Sequence, residues 1–267
     1  MSPIRIRRIF SRISFAMRRS CPSVADRAAM VSEFAPWRSD TILRKQGLDA
    51  RCCWCPLAGF PMWLIDTENF EPRAMEILLS EEEKAAADRF RQPALRSRYI
   101  AAHGGLRILL RDHYDIPLGA QATDRNGFGK PHLRRYPGLH YSISYSGHYV
   151  VIGVSEGEPI GVDIEVLRPI KDAAELMDLH FTAAERAEVR SGGALGKCVS
   201  RGFLEIWVRK EACLKAFGCG LNIPLNSVEC ALGDQMTTVQ LSDSQFRTGA
   251  LQNLGDPIMA WSRRICV

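Results

Sequence analysis

The chain has 267 residues, 46% of them hydrophobic and 24% charged, enough to bury one large core or two smaller ones, which excludes a purely disordered or fibrous chain. No apolar run approaches the length needed to span a bilayer. The formal net charge is +5, but Arg5, Arg7, Arg8, Arg12, Arg18 and Arg19 all precede the first acidic residue, Asp26. The body that follows is nearly neutral, so the basic balance says nothing about its active surface, and no nucleic acid is expected as a partner.

The arginine-rich, acid-free beginning admits three readings: a targeting presequence, an arm that touches nucleic acid or anionic lipid, or a disordered leader. It lacks the long apolar segment of a secretory signal. Residues 1–60 show no sustained periodicity and are expected to be a basic, disordered extension. Nine cysteines include Cys52-Cys53-Trp54-Cys55, yet no second pair at zinc-finger spacing and no nearby histidine accompany them. Cys198, Cys213, Cys219, Cys230 and Cys266 are scattered through expected core segments. An odd count without a framework fits reduced thiols in a cytoplasmic protein.

Met62-Trp63-Leu64-Ile65 reads as a first strand. Ser80-Glu81-Glu82-Glu83 is a capping box whose helix runs toward Arg91 and stops before Pro93. A second helix is expected over 94–113, ahead of Ile116-Pro117-Leu118. Asn126-Gly127-Phe128-Gly129-Lys130-Pro131 is a turn-rich loop. Residues 139–154 read as two strands joined at Ser146-Gly147, and Glu156-Gly157-Glu158-Pro159 as a linker.

Ile160-Gly161-Val162-Asp163-Ile164-Glu165-Val166 alternates with period two, as a half-buried strand does, and places Asp163 and Glu165 on one face. Thr182-Ala183-Ala184-Glu185 is a second capping box. A second helix then carries Phe203, Ile206, Trp207, Leu214 and Phe217 on one face and stops at Gly218 and Gly220. Ile223-Pro224-Leu225 comes next, and strands are expected around 226–242 and 257–266. A capping box, a helix and Ile-Pro-Leu recur at similar intervals, which suggests two related lobes.

Lys210 falls inside the apolar stripe of the last helix, and Glu211 lies beside it with Lys215 one turn on. A surface Glu211–Lys215 pair would explain the two charges blandly, as a solvated edge strand would explain Asp163 and Glu165. Taken together, Asp163, Glu165 and Glu211 form an all-oxygen acidic set suited to a hard cation such as Mg²⁺, with Mn²⁺ also admissible. Lys210 and Lys215 would then meet phosphate.

Gly161-Val162-Asp163 followed by Trp207-Val208-Arg209-Lys210-Glu211-Ala212-Cys213-Leu214-Lys215 resembles the paired signatures of the 4′-phosphopantetheinyl transferase superfamily. Gly129-Lys130-Pro131 and Ser142-Ile143-Ser144-Tyr145-Ser146-Gly147 resemble two further motifs of its two-lobed, surfactin-type class. One such motif is weak; four in order are specific. The match begins near Pro61, which favours the disordered leader, an over-called start codon included. Residues 1 to about 55 are therefore expected to be dispensable.

The resemblance implies an α/β fold of two similar lobes related by a pseudo-twofold, 61–157 and 158–267, with CoA as co-substrate in the cleft between them and the metal site in the second. It implies a monomeric, cytoplasmic enzyme that moves phosphopantetheine from CoA to a serine of an acyl or peptidyl carrier protein and releases 3′,5′-ADP. Such modification serves fatty acid, polyketide or nonribosomal peptide synthesis. Asp163, Glu165 and Glu211 would hold Mg²⁺, and Lys215 would neutralise the leaving phosphate. Glu211 or a metal-bound water would take the serine proton.

Arg98, Lys130, Ser144, Tyr145 and Lys215 are the expected CoA contacts. Tyr145 departs from the histidine common in the family, which puts a charged contact to the 3′-phosphate in doubt. Lys84 and Arg89 are the basic residues left on the first helix of lobe one. Two other classes remain: a CoA-binding relative without activity, and another Mg²⁺-dependent phosphoryl-transfer enzyme.

Overall fold

The computed structural model describes residues 43–45, 47–55, 58–192, 199–233, 236–251 and 257–265. The arginine-rich leader, Cys198 and Cys266 lie outside them. Among the described residues the strands are β1 (Asp49–Cys55), β2 (Phe60–Asp66), β3 (Thr123–Arg125), β4 (Pro131–Leu133), β5 (Leu139–Ser146), β6 (Tyr149–Glu156), β7 (Ile160–Val166), β8 (Thr237–Leu241), β9 (Ser244–Leu251) and β10 (Pro257–Ile265). The helices are α1 (Arg73–Glu76), α2 (Glu81–Ala87), α3 (Pro93–Asp112), α4 (Ala173–His180), α5 (Ala183–Arg190) and α6 (Val199–Phe217). The strands form two four-stranded sheets, ordered β1-β2-β6-β5 and β7-β10-β9-β8, and a small β3-β4 ribbon.

The two halves repeat one plan. β2 pairs with β6 and β6 with β5; β7 pairs with β10 and β10 with β9, all antiparallel. Both capping boxes are complete. Ser80 Oγ accepts from Glu83 N while Glu83 Oε2 accepts from Ser80 N, and Thr182 and Glu185 do the same. Each Ile-Pro-Leu opens a 3₁₀ turn, Leu118–Ala120 after Pro117 and Leu225–Ser227 after Pro224. Proline fixes φ and cannot donate, so it starts such a turn without leaving an orphan donor.

Three apolar clusters follow from strand alternation. Trp63, Ile65, Val150 and Ile152 face α3 and meet Ile100, Ile108 and Leu109. Phe246, Ile258 and Ala260 face α6 and meet Phe203, Ile206 and Leu214. The other faces of the two sheets pack on each other: Phe60, Met62, Leu64 and Val151 meet Val162, Ile164, Met259 and Trp261. β2 is thus covered on both faces, which accounts for its unbroken apolar run.

The expected extension over 1–60 ends too late. Asp49–Cys55 is paired along its whole length with Phe60–Asp66, and Leu43, Leu48 and Ala50 are buried in the first core. Polar and apolar residues alternate only over Asp49-Ala50-Arg51-Cys52, too short a run to announce a strand by itself. Two smaller corrections concern boundaries. α2 stops at Ala87 rather than near Arg91, and β8 begins only at Thr237, with β9 an additional strand. No helix among the described residues is long and apolar enough to cross a membrane.

Candidate active site

β5 and β7 are edge strands of different sheets, and serines stitch them together. Ser142 Oγ accepts from Val162 N at 3.0 Å and Ser146 Oγ accepts from Val166 N at 3.2 Å. Between them Ser144 Oγ donates to Asp163 Oδ1 at 2.6 Å. The alternation of Ser142, Ser144 and Ser146 along β5 puts all three in the seam; that period-two run is the signal from which the seam could have been read.

α6 crosses β7 closely because residue 161 is glycine. A Cβ there would lie 2.0 Å from Ala212 O and 2.5 Å from Ala216 N, far inside contact distance. The approach delivers Lys215 to Asp163. Lys215 Nζ donates to Asp163 Oδ1 at 2.6 Å and to Ser144 Oγ at 2.8 Å. Asp163 is only 6% exposed. Burial pushes its carboxyl up; the Lys215 charge and hydrogen bonds from Lys215 and Ser144 pull it down, and Glu165 pushes it up again, leaving it raised.

Glu211, half-buried one turn earlier on α6, accepts no hydrogen bond from a described residue. Its carboxyl is also raised, by burial first and then by the charge of Asp163, with Lys215 opposing and Glu165 reinforcing. Glu165 accepts from Ser146 Oγ and Arg168 NH1, each at 2.6 Å. Ser146 lies within the serine-rich motif but is given no role by it, and Arg168 lies outside the motifs altogether.

The structure brings two further expected residues together. The Arg98 guanidinium sits 4.6 Å from the centroid of the Tyr145 ring and donates to Gly147 O at 2.6 Å. Arg98 Nε is buried and finds no partner among the described residues. Lys130 Nζ donates to two backbone carbonyls, Ile160 O and Ala216 O.

Lys210 does not reach this site. It is fully buried on the opposite side of α6, where Nζ meets Glu185 Oε2 at 2.7 Å, Leu225 O at 2.9 Å and Val228 O. The expectation that it faces phosphate is corrected: its place within the apolar stripe turns it inward, and the Glu185 of the second capping box neutralises it there. Lys84 is taken by Glu81 at 2.7 Å.

A family model for the 4′-phosphopantetheinyl transferase superfamily matches residues 159–255, the span that carries β7 and α6. The chain is similar to the 4′-phosphopantetheinyl transferase psf-1 of Bacillus pumilus, 31% identical over 192 residues, covering 68% of this chain and 77% of that protein. The chain belongs to the 4′-phosphopantetheinyl transferase superfamily. It is also similar to the 4′-phosphopantetheinyl transferase HetI of a Nostoc species, at 33% identity over 64% of this chain and 73% of that one. The 4′-phosphopantetheinyl transferase Sfp of Bacillus subtilis is 26% identical over 62% and 72%.

For this superfamily member the donor set can be tested against a divalent cation. All three carboxylates are hard oxygen ligands, and mutual repulsion helps to raise Asp163 and Glu211; a cation among them would relieve that repulsion. In chemistry the residues fit. Their ligand atoms are not gathered to one point: among the described residues, the only three such groups with ligand atoms within 4.8 Å of one another are Asp66, Glu68 and His148. Lys215 and Arg168 are the cations that Asp163 and Glu165 have instead.

Proposed function

We propose that this chain transfers 4′-phosphopantetheine from CoA to a serine of an acyl or peptidyl carrier protein. The observation that supports this most is the Ser144–Asp163–Lys215 hydrogen-bonded set beside Glu211, assembled from β5, β7 and α6. The two sheets with their helices are read as two lobes, divided near 157, with the start of the first moved back to include β1.

In the proposed step the carrier serine oxygen forms a bond to the β-phosphorus of CoA, and the bridging P–O bond to 3′,5′-ADP breaks. A Mg²⁺ ion held by Asp163, Glu165 and Glu211 would neutralise charge on the diphosphate as a Lewis acid. Glu211, with its raised proton affinity and no hydrogen bond from a described residue, is placed to take the serine proton. Lys215 turns its ammonium from Asp163 to the departing phosphate, where charge develops. Arg98, with a buried N–H that has no partner among the described residues, holds the 3′-phosphate of CoA, and Tyr145 backs its guanidinium.

Incubating the full chain with CoA, Mg²⁺ and an apo carrier protein should add phosphopantetheine to the carrier, read by mass. Asp163→Asn and Lys215→Met should each lower kcat by at least about 100-fold, the usual cost of losing transition-state charge stabilisation. A carrier whose mass never changes would leave the inactive CoA-binding reading in its place.

A further inference from the structure

Lys130 lies on the loop between β3 and β4, yet its side chain ends on the second half of the chain. Its Nζ donates to Ile160 O at 3.1 Å and to Ala216 O at 3.2 Å. Ile160 is the first residue of β7, and Ala216 is the penultimate residue of α6. The last four carbonyls of a helix lack intrahelical partners and carry the negative end of its dipole. An ammonium placed there satisfies one of those carbonyls and meets charge of the favourable sign.

The rest of the loop is shaped to deliver it. Asn126 Oδ1 accepts from Phe128 N at 3.0 Å and from Lys130 N at 2.9 Å. Asn126 Nδ2 donates to Gly218 O at 2.9 Å, so a second side chain of the loop binds just past the helix end. Gly218 has φ +84°, and a Cβ there would come within 3.0 Å of Lys130 Cδ and 3.2 Å of Asn126 Nδ2. Loop and helix end are thus closely fitted.

The junction under Lys130 is the one that sets the site. Gly161, next to Ile160, lets β7 approach Ala212 and Ala216 of α6. Asp163 and Glu165 follow on β7; Glu211 and Lys215 lie on the same last turns of α6. We propose that Lys130 is a positioning residue: its ammonium clamps the end of α6 to the start of β7 and so fixes Glu211 and Lys215 against Asp163. This rests on the transferase reading above, but assigns Lys130 to helix placement rather than to a phosphate of CoA. Burial pulls its pKa down to about 8, as expected for an ammonium held by neutral carbonyls.

The test compares the full chain with Lys130→Met, Lys130→Gln and Lys130→Arg. With carrier protein and CoA, Lys130→Met should lower kcat about tenfold while KM for CoA stays within about twofold, because geometry and not binding is lost. Lys130→Gln, which retains two donors, should recover part of kcat. Amide exchange should quicken at residues 214–218 and beside Ile160 in Lys130→Met and stay unchanged in the first core. A raised KM at unchanged kcat would make Lys130 a CoA contact and overturn the proposal; so would unaltered exchange at 214–218. The exchange readout needs no turnover. If the wild-type chain transfers nothing to a carrier, the transferase reading fails while the clamp is still decided; if Lys130→Met does not fold, Lys130→Gln is read instead.

Discussion

Lys210 Nζ lies 2.7 Å from Glu185 Oε2, with both side chains out of solvent. Glu185 is used twice more: Oε2 accepts from Thr182 N and Oε1 from Cys230 N, each at 2.7 Å. One carboxylate thereby caps α5, holds the loop at Cys230 and neutralises a core lysine of α6. Removing one partner of a buried pair strands the other charge and costs about 3–5 kcal/mol. Lys210→Met should lower the urea midpoint accordingly, and adding Glu185→Gln should restore part of the loss. Unchanged stability with a raised KM for CoA would instead place Lys210 at a phosphate.

The chain's beginning supplies a second expectation. A protein started at Gly59 lacks β1 and the core contributions of Leu43, Leu48 and Ala50. Each buried leucine alone is worth about 2–5 kcal/mol on truncation to alanine, and β2 would become a bare apolar edge. Thermal melts of this truncation should show a large loss of Tm or aggregation. A melt equal to that of the full chain would return β1 to the dispensable extension.

β1 also shows where sequence reading ran out. β7 was legible residue for residue, because Ile160–Val166 alternates and is bounded by turns. Both capping boxes and both Ile-Pro-Leu turns were legible as local chemistry. The repeat they announced recurs in the strand pairing. β1 alternates over only Asp49-Ala50-Arg51-Cys52, too few residues to read as a strand. Lys210 was visible as a charge inside an apolar stripe, but Glu185 already looked spent on its own helix cap, and nothing local joins the two. Asp163, Ser144 and Lys215 were each singled out, while their convergence depends on the Gly161 crossing, a tertiary fact.

That crossing is directly testable. Gly161→Ala sets a methyl carbon against backbone atoms, Ala212 O and Ala216 N, which cannot rotate away. Overpacking typically costs about 1–3 kcal/mol and more where backbone must move. The expected result is a lowered Tm together with reduced carrier modification, since α6 shifts with Glu211 and Lys215. Full activity and an unchanged melt would show that α6 does not press on β7.

Glu83 gives an acid-stability prediction. Burial alone would raise its carboxyl, but hydrogen bonds from His103, Arg107 and Ser80 N outweigh it and hold the pKa at about 2, against 4.5 for the free side chain. A folded pKa below the unfolded value gives stability that is present above about pH 4.5 and is lost as pH falls toward 2. The side chain is 17% exposed, so the full linkage, about 3 kcal/mol, is an upper figure. Glu83→Gln should cost most at neutral pH, and its deficit relative to wild type should shrink steadily in urea titrations from pH 5 to pH 2.5. A deficit independent of pH would mean that the carboxylate charge contributes nothing.

Arg98 and Tyr145 separate charge from platform at the proposed 3′-phosphate contact. The guanidinium lies over the ring at 4.6 Å and keeps one buried N–H without a described partner. A half-exposed cation–π contact is worth about 0.5–1 kcal/mol, whereas a hydrogen bond to a charged group is worth about 1.5–3 kcal/mol. Tyr145→Phe retains the ring and should leave KM for CoA nearly unchanged. Tyr145→Ala frees the guanidinium and should raise KM about two- to fivefold. Arg98→Met should raise it by about ten- to a hundredfold and erase discrimination against dephospho-CoA. Tyr145→His, which puts back the imidazole common in the family, should lower KM for CoA while kcat changes little. The decisive comparison is Arg98→Met on the two substrates. If it weakens CoA and dephospho-CoA equally, Arg98 serves only to hold the Gly147 turn, and the 3′-phosphate is bound elsewhere.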